Sequence, residues 1–453
     1  MASAAEQLAA NINFGAFRKA TELHKRLLFT VGALIVYRFG TFIPCAGVNT
    51  AAFAKTAAGS GKGIFDTFNL FSGGAVQHMA IFALNVMPYI SASIIVQLLQ
   101  SIYPPWEKLK KEGGEAGRKQ LNQYTRYLTV VLALAQSFGI AIGLQNSPGV
   151  VSTTGPYTGI FFLTGTIATL TGGTLFLMWL GEQVTSRGVG NGNSLIIFAG
   201  IVSRLPTTVG NMLGNSGKSG GMSPVVMLAI AAGAIGLLVF VVFMERAQRR
   251  LLVQYPKRQV GNRMFGGESS FLPLKVNTSG VIPPIFASSL LLLPTTAMAF
   301  VAGSHSKWAS WLQPVTTQLQ HGQPLFILFY AVLIIFFCFF YTSVVFDPKE
   351  TAENLRKYGG FLPGIRPGAR TAEYLDYVLT RLTAIGALYV MGVCLIPEFI
   401  TNVTAIQLGF TGTSILIVVS VMMDTVAQIQ SHLLAHQYEG LIKKSKLRGG
   451  RGR

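Results

Sequence analysis

Ten apolar stretches of about 20 residues each recur along this chain, and they constrain its fold more than any other feature. A helix of that length crosses the hydrocarbon of a bilayer, where every backbone polar group must find its partner within the protein. The stretches run approximately over 26–44, 75–99, 126–145, 157–180, 193–212, 224–244, 278–300, 324–346, 376–398 and 408–428. The sequence therefore predicts an all-α polytopic membrane protein. Charged residues are 12% of the 453, about half the share usual in soluble domains. Cys45, Cys338 and Cys394 lie far apart, in or beside apolar runs, which gives neither a disulfide framework nor a zinc spacing. The opening stretch MASAAEQLAANINFGAFRKATELHKR is polar and lacks a signal-peptide core, so no cleavage is expected.

Lysine and arginine set the orientation. Alternate loops hold Lys108, Lys110, Lys111, Arg118, Lys119 and Arg126, then Arg187, then a run from Arg246 to Lys275, then Lys349, Arg356, Lys357, Arg366 and Arg370. The tail LIKKSKLRGGRGR lies on the same side, whereas the opposite loops hold only Lys55, Lys62, Arg204, Lys218 and Lys307. The positive-inside rule places that basic side, with both termini, in the cytosol. The net charge of +19 is thus one-sided. Three cytosolic loops, 101–125, 245–276 and 347–375, are longer than tight connections need, and VFMERAQRRLLVQYPKRQVGNRMF predicts a basic hairpin projecting from the membrane. Such a surface suits an acidic partner, either ribosomal RNA or an acidic patch on a cytosolic protein.

Reaction chemistry is hard to place on this sequence. AAGSGKG (57–63) has Thr56 where a phosphate loop needs its first glycine, and Gly63 where it needs Ser or Thr. GVGNGNS (188–194) lacks the third glycine of a dinucleotide fingerprint and follows a membrane helix. His432 and His436 have metal-ligand spacing in HLLAH, but no Glu follows His432. Glu182, Glu245, Asp347 and Asp424 sit near span ends, where acidic groups are tolerated. The reading is of a protein that is not an enzyme, with no catalytic residue, cofactor or metal. Alone, it is expected to hydrolyse no ATP.

One stretch does ask for an explanation: NVMPYISASIIVQ (85–97). Read as a helix, it places Asn85, Tyr89, Ser93 and Gln97 on one face, beside an aliphatic stripe of Val86, Ile90 and Ile94, with Pro88 in between. Part of it echoes later: VMPYISAS (86–93) matches VIPPIFAS (281–288), and GNSLII (192–197) matches GTSILI (412–417). Each pair lies five spans apart and so crosses the membrane in opposite directions. That pattern predicts an inverted repeat of five plus five helices with a special site near the midplane. A secondary transporter shares such repeats, but it would place ligands where this chain places aliphatics.

FNLFSGGAVQHMAIFALNVMPYISASIIVQLL (68–99) resembles the signature of the SecY family, the channel-forming subunits of the bacterial Sec protein translocase. So do LFLMWLGEQVTSRGVGNGNSLIIFAGIV (175–202), LPLKVNTSGVIPPIFASS (272–289), IIFFCFFYTSVVFDPKETAENL (334–355) and PGIRPG (363–368). The resemblance runs in order through nearly the whole chain. It implies ten transmembrane helices in two inverted five-helix halves, 1–222 and 223–453, around a central hourglass pore with a lateral gate between the second and seventh helices.

The same resemblance implies a protein-conducting channel for unfolded secretory polypeptides that also releases transmembrane segments into lipid. Its pore ring would be Val86, Ile90, Ile197, Ile285 and Ile417, an apolar gasket in which Val86 stands where the family usually has isoleucine. Ser91, Gln97 and, across the gate, Asn277 are its gate candidates. Residues 63–73 would form a plug carrying Ile64, Phe65, Asp66, Phe68 and Asn69, hinged at Gly73 and Gly74. Arg249, Arg250, Lys257 and Arg258 in hairpin 245–276, and Arg366 in hairpin 347–375, would dock the ribosome and the SecA motor. SecE and SecG are the implied small subunits, signal-sequence-bearing polypeptides and membrane lipids the further partners, and the bacterial plasma membrane the implied location.

Overall fold

The computed structural model describes residues 21–50, 52–53, 69, 72–111, 113–145, 149–151, 159–214, 224–255, 258–260, 263–265, 269–301, 318, 323–404 and 411–449. Twelve helices organise them: α1 (Thr21–Gly40), α2 (Met87–Ile102), α3 (Pro104–Lys111), α4 (Gly114–Gln145), α5 (Ile160–Arg187), α6 (Gly192–Gly214), α7 (Pro224–Arg246), α8 (Ile282–Val301), α9 (Pro324–Val345), α10 (Pro348–Lys357), α11 (Ala369–Thr404) and α12 (Gly412–Gly449). Each of the ten expected spans has its helix, and α3 and α10 are short additions on the basic side. Among the described residues, six helices are long and apolar enough to cross a membrane by those criteria alone.

The second span departs from expectation. Its helix starts at Met87, and Ser72–Val86 fold as successive turns instead. Asn85 adopts a left-handed backbone (φ +51°) and Val86 caps the helix, so neither belongs to the helical face read from sequence. Pro88 then falls in the first turn, where its missing N–H costs nothing. The 16 residues of α2 span about 24 Å, short of a hydrocarbon core of about 30 Å. Irregular backbone at such depth must be buried in protein. Ala75, Ala80, Leu84, Asn85 and Val86 are accordingly buried, and the turns bond to one another and to the segment that follows α1: Ala80 N to Ala75 O at 2.8 Å, Ile81 N to Ile43 O at 3.0 Å.

The sequence echoes mark helix starts in equivalent register. α2 begins one residue after Val86 and α8 one residue after Val281, each with proline in its first turn. α6 and α12 begin on Gly192 and Gly412, and in both the glycine lets backbone approach backbone: a Cβ would meet the Gly181 carbonyl of α5 in one case and the Val393 carbonyl of α11 in the other. Side chains of α1, α5, α6 and the turns before α2 build one apolar core, and those of α8, α9, α11 and α12 build another. Ile417 and Val421 of α12 reach into the first, and Ile94 of α2 into the second.

On the basic side, β1 (Gln248–Gln254) pairs antiparallel with β4 (Ser269–Lys275), and β2 (Arg258–Val260) with β3 (Arg263–Phe265). Gln254 and Phe361 exchange two backbone bonds of 2.9 Å, and Leu251 and Leu274 share a core with Ala352, Leu362 and Leu375. The two expected hairpins therefore pack as one unit on the basic side. Gly192→Val and Gly412→Val are each expected to cost about 1–3 kcal/mol by forcing the helix start off its neighbour. Gly233→Val, in open space on α7, is expected to leave thermal unfolding in detergent unchanged; equal melting of all three variants would contradict this packing.

Candidate functional site

A cavity of about 650 Å³ opens between α2, α4, α5, α6 and α8. Its polar wall carries Ser93, Gln97, Asn122, Arg126, Glu182 and Asn191, and its apolar wall Ile90, Ile197, Ile282, Ile285 and Phe286. On α2, Ser93 and Gln97 lie nearer than Ile90 to the end that leads into a basic loop. Tyr89, Ser93 and Gln97 thus share a cavity face as the sequence spacing requires, and Gln97 Nε2 donates to Ser93 Oγ at 3.2 Å.

The five ring candidates fall in one apolar cluster. Val86, Ile197 and Ile417 are buried within it, and Ile90 and Ile285, half-buried, pack against it. Their placement follows from helix starts: Ile90 and Ile285 are the fourth residues after Val86 and Val281, and Ile197 and Ile417 the fifth after Gly192 and Gly412. Four helices entering with matched registers deliver four isoleucines to one apolar cluster.

Gate residues divide differently. Ser91 is buried on α2 and Gln97 bonds within its own helix, while Asn277 turns to Glu245, Ser279 and Gly280. None of the three bonds across the α2–α8 contact. That contact is made by side chains such as Ile94, Phe286 and Ala287, which belong to one apolar cluster.

Of the plug candidates, Ile64, Phe65, Asp66 and Phe68 lie outside the described residues. Asn69 is buried, and its Oδ1 accepts from Gln77 N at 3.3 Å. Gly73 and Gly74 both take left-handed backbone (φ +66° and +94°), which side chains with a Cβ adopt at a cost. Two residues missed by sequence reasoning hold this root: Tyr37 Oη donates to Ser72 O at 3.2 Å, and Arg38 Nη1 to Gly73 O at 2.8 Å. A lone arginine closing the apolar run of α1 was the available signal.

Arg249, Arg250 and Arg366 are exposed. Lys257 lies outside the described residues, and the backbone of Arg258 pairs with that of Phe265. His432 is exposed on α12, and no three metal-ligating side chains cluster among the described residues.

The SecY family model matches residues 80–426, from within the turns before α2 to the first part of α12. The chain belongs to the SecY family. It is 51% identical to the protein translocase subunit SecY of Rickettsia bellii over 97% of this chain and 100% of that one. To SecY of Escherichia coli K12 it is also 51% identical, over 94% and 96%. Among solved structures, a protein-conducting channel aligns with a TM-score of 0.64 at 17% identity, covering 91% of this chain and 93% of that one. Sec61 in a canine ribosome–channel complex aligns with a TM-score of 0.62, at 17% identity and the same coverage. These two likenesses establish the shared fold, and this SecY-family chain is a multi-pass membrane protein.

Arg126 and Glu182 join α4 to α5 at the cavity wall through two parallel bonds of 2.9 and 2.7 Å. Half of the Arg126 side chain is solvent-accessible, so water screens the pair. A double-mutant cycle of Arg126→Ala and Glu182→Ala, read by thermal unfolding, is expected to give a coupling below about 1 kcal/mol. A value of several kcal/mol would make the pair a keystone of the wall.

Proposed function

We propose that this chain is the protein-conducting channel of a Sec translocase, passing unfolded polypeptides across the membrane and releasing apolar segments sideways into lipid. The observation that carries the reading is a cavity with one polar wall and one aliphatic wall drawn from α2, α6 and α8, beside an apolar cluster that Ile417 of α12 joins. Polar walls admit a hydrated chain, and an apolar constriction resists wetting by water and ions while flexible side chains fit around a passing segment. Val86, Ile90, Ile197, Ile285 and Ile417 act as that ring, and the contact between α2 and α8, built from groups such as Ile94, Phe286 and Ala287, is the lateral gate. The matched helix starts and the two apolar cores support a division into halves at about residue 222.

Energy comes from partners, since catalysis has no place in this reading. The strand pair carrying Arg249 and Arg250, packed with the loop of Arg366, offers fixed cations to ribosomal RNA and to an acidic face of the SecA motor. SecE and SecG complete the assembly against lipid-facing helices. The basic loops and both termini face the cytosol of a bacterium.

A photo-crosslinking residue at position 285 tests the reading, with Leu388 as control because it is 60% exposed on the outer surface of α11. Stalled ribosome–nascent chains are presented to the protein in membranes. Crosslinks from 285 that require a signal sequence, with none from 388, are expected; absence of polypeptide adducts in folded, inserted protein would exclude the channel.

A further inference from the structure

The basic hairpin meets α8 at a buried polar joint. Glu245 stands in the last turn of α7, one residue before the chain leaves for β1, and β4 returns it to Lys275. Val276 N donates to Ala247 O at 3.0 Å and closes the base of the hairpin. The next residue, Asn277, is 4% exposed and Glu245 is 8% exposed. Asn277 Nδ2 donates to Glu245 Oε1 at 2.6 Å and to Gly280 O at 3.1 Å, while its Oδ1 accepts from Ser279 Oγ at 3.1 Å. One side chain thereby ties the end of α7 to the turn from which α8 starts. Behind it, Gly386 of α11 lies so close that a Cβ would stand 2.6 Å from the Val276 carbonyl. Two residues after Gly280, α8 begins, and in its first turn Ile285 reaches the aliphatic cluster.

Apolar packing could hold a fixed joint at less desolvation cost than a buried carboxylate. A buried polar pair instead selects one register and gives it up as a unit when it parts. We infer that Glu245 and Asn277 are positioning residues that couple a partner seated on the hairpin to the placement of α8, and through it to the ring and the α2–α8 contact. The inference rests on the channel reading above. The β1–β4 ladder makes both hairpin legs move together. A partner that tilts them acts on Asn277, and Asn277 holds the Gly280 carbonyl.

The test uses the whole channel in vesicles with two readouts: binding of signal-bearing ribosome–nascent chains, and signal-dependent crosslinking from a probe at position 285. Asn277→Ala and Glu245→Ala are each expected to bind ribosomes as the unsubstituted channel does, yet to lose at least about fivefold in crosslinking. The double variant is expected to lose no more than either alone. Glu245→Gln keeps an acceptor for Asn277 and is expected to retain most of the signal. If Glu245→Ala does not insert, Asn277→Ala and Glu245→Gln decide the matter by the same criteria. Undiminished crosslinking in Asn277→Ala, or a loss matched by lost ribosome binding, would overturn the coupling. An unsubstituted channel that binds ribosomes but never crosslinks would instead overturn the channel reading.

Discussion

Backbone amides inside hydrocarbon have no water to turn to, and each one left unpaired costs several kcal/mol. The centre of this protein is shaped by the ways the chain meets that demand without running a continuous helix. Before α2 it folds Ser72–Val86 into buried turns, and it opens both α2 and α8 with prolines whose missing donors would be unused there anyway. The first turns of these helices deliver Ile90 and Ile285 to the apolar cluster that holds Ile197 and Ile417. The aliphatic cluster is thus a consequence of where four helices begin.

That cluster sits between contacts of different strength. Lipid supplies no hydrophobic drive between helices, so the α2–α8 contact relies on packing of groups such as Ile94 and Phe286. At the basic rim, by contrast, a short bond between Asn277 and Glu245 fixes where α8 starts. At the other end Arg38 holds the Gly73 carbonyl where the turns begin. A weak seam framed by firm anchors can part along its length while its ends keep register, which is the mechanical property a lateral gate needs.

Much of this was legible in the chain. Apolar length located all ten spans, and the echoed VxP and GxS motifs located the four starts that build the cluster. Hydropathy failed at residues 75–86 because apolar side chains are equally at home in a buried turn, and the break depends on the left-handed Asn85. It also stopped short on α11, which extends beyond its apolar run at both ends, and on α12, which continues past its own. The family resemblance implies Asn277 as a gate candidate, but its bond to Glu245 was not legible, because that residue is 32 positions away and is brought near by the closed hairpin.

The central claim is that the clustered aliphatics seal a pore. The direct measurement is chloride efflux from vesicles holding the resting channel with Ile90, Ile197 and Ile285 all replaced by serine. The comparison replaces Leu228, Val332 and Leu388, all exposed on outer helix faces, by the same residue. The account predicts that the ring variant leaks at least about tenfold faster than the unsubstituted channel while the outer-face variant does not. Equal, unchanged efflux from both folded variants would contradict it.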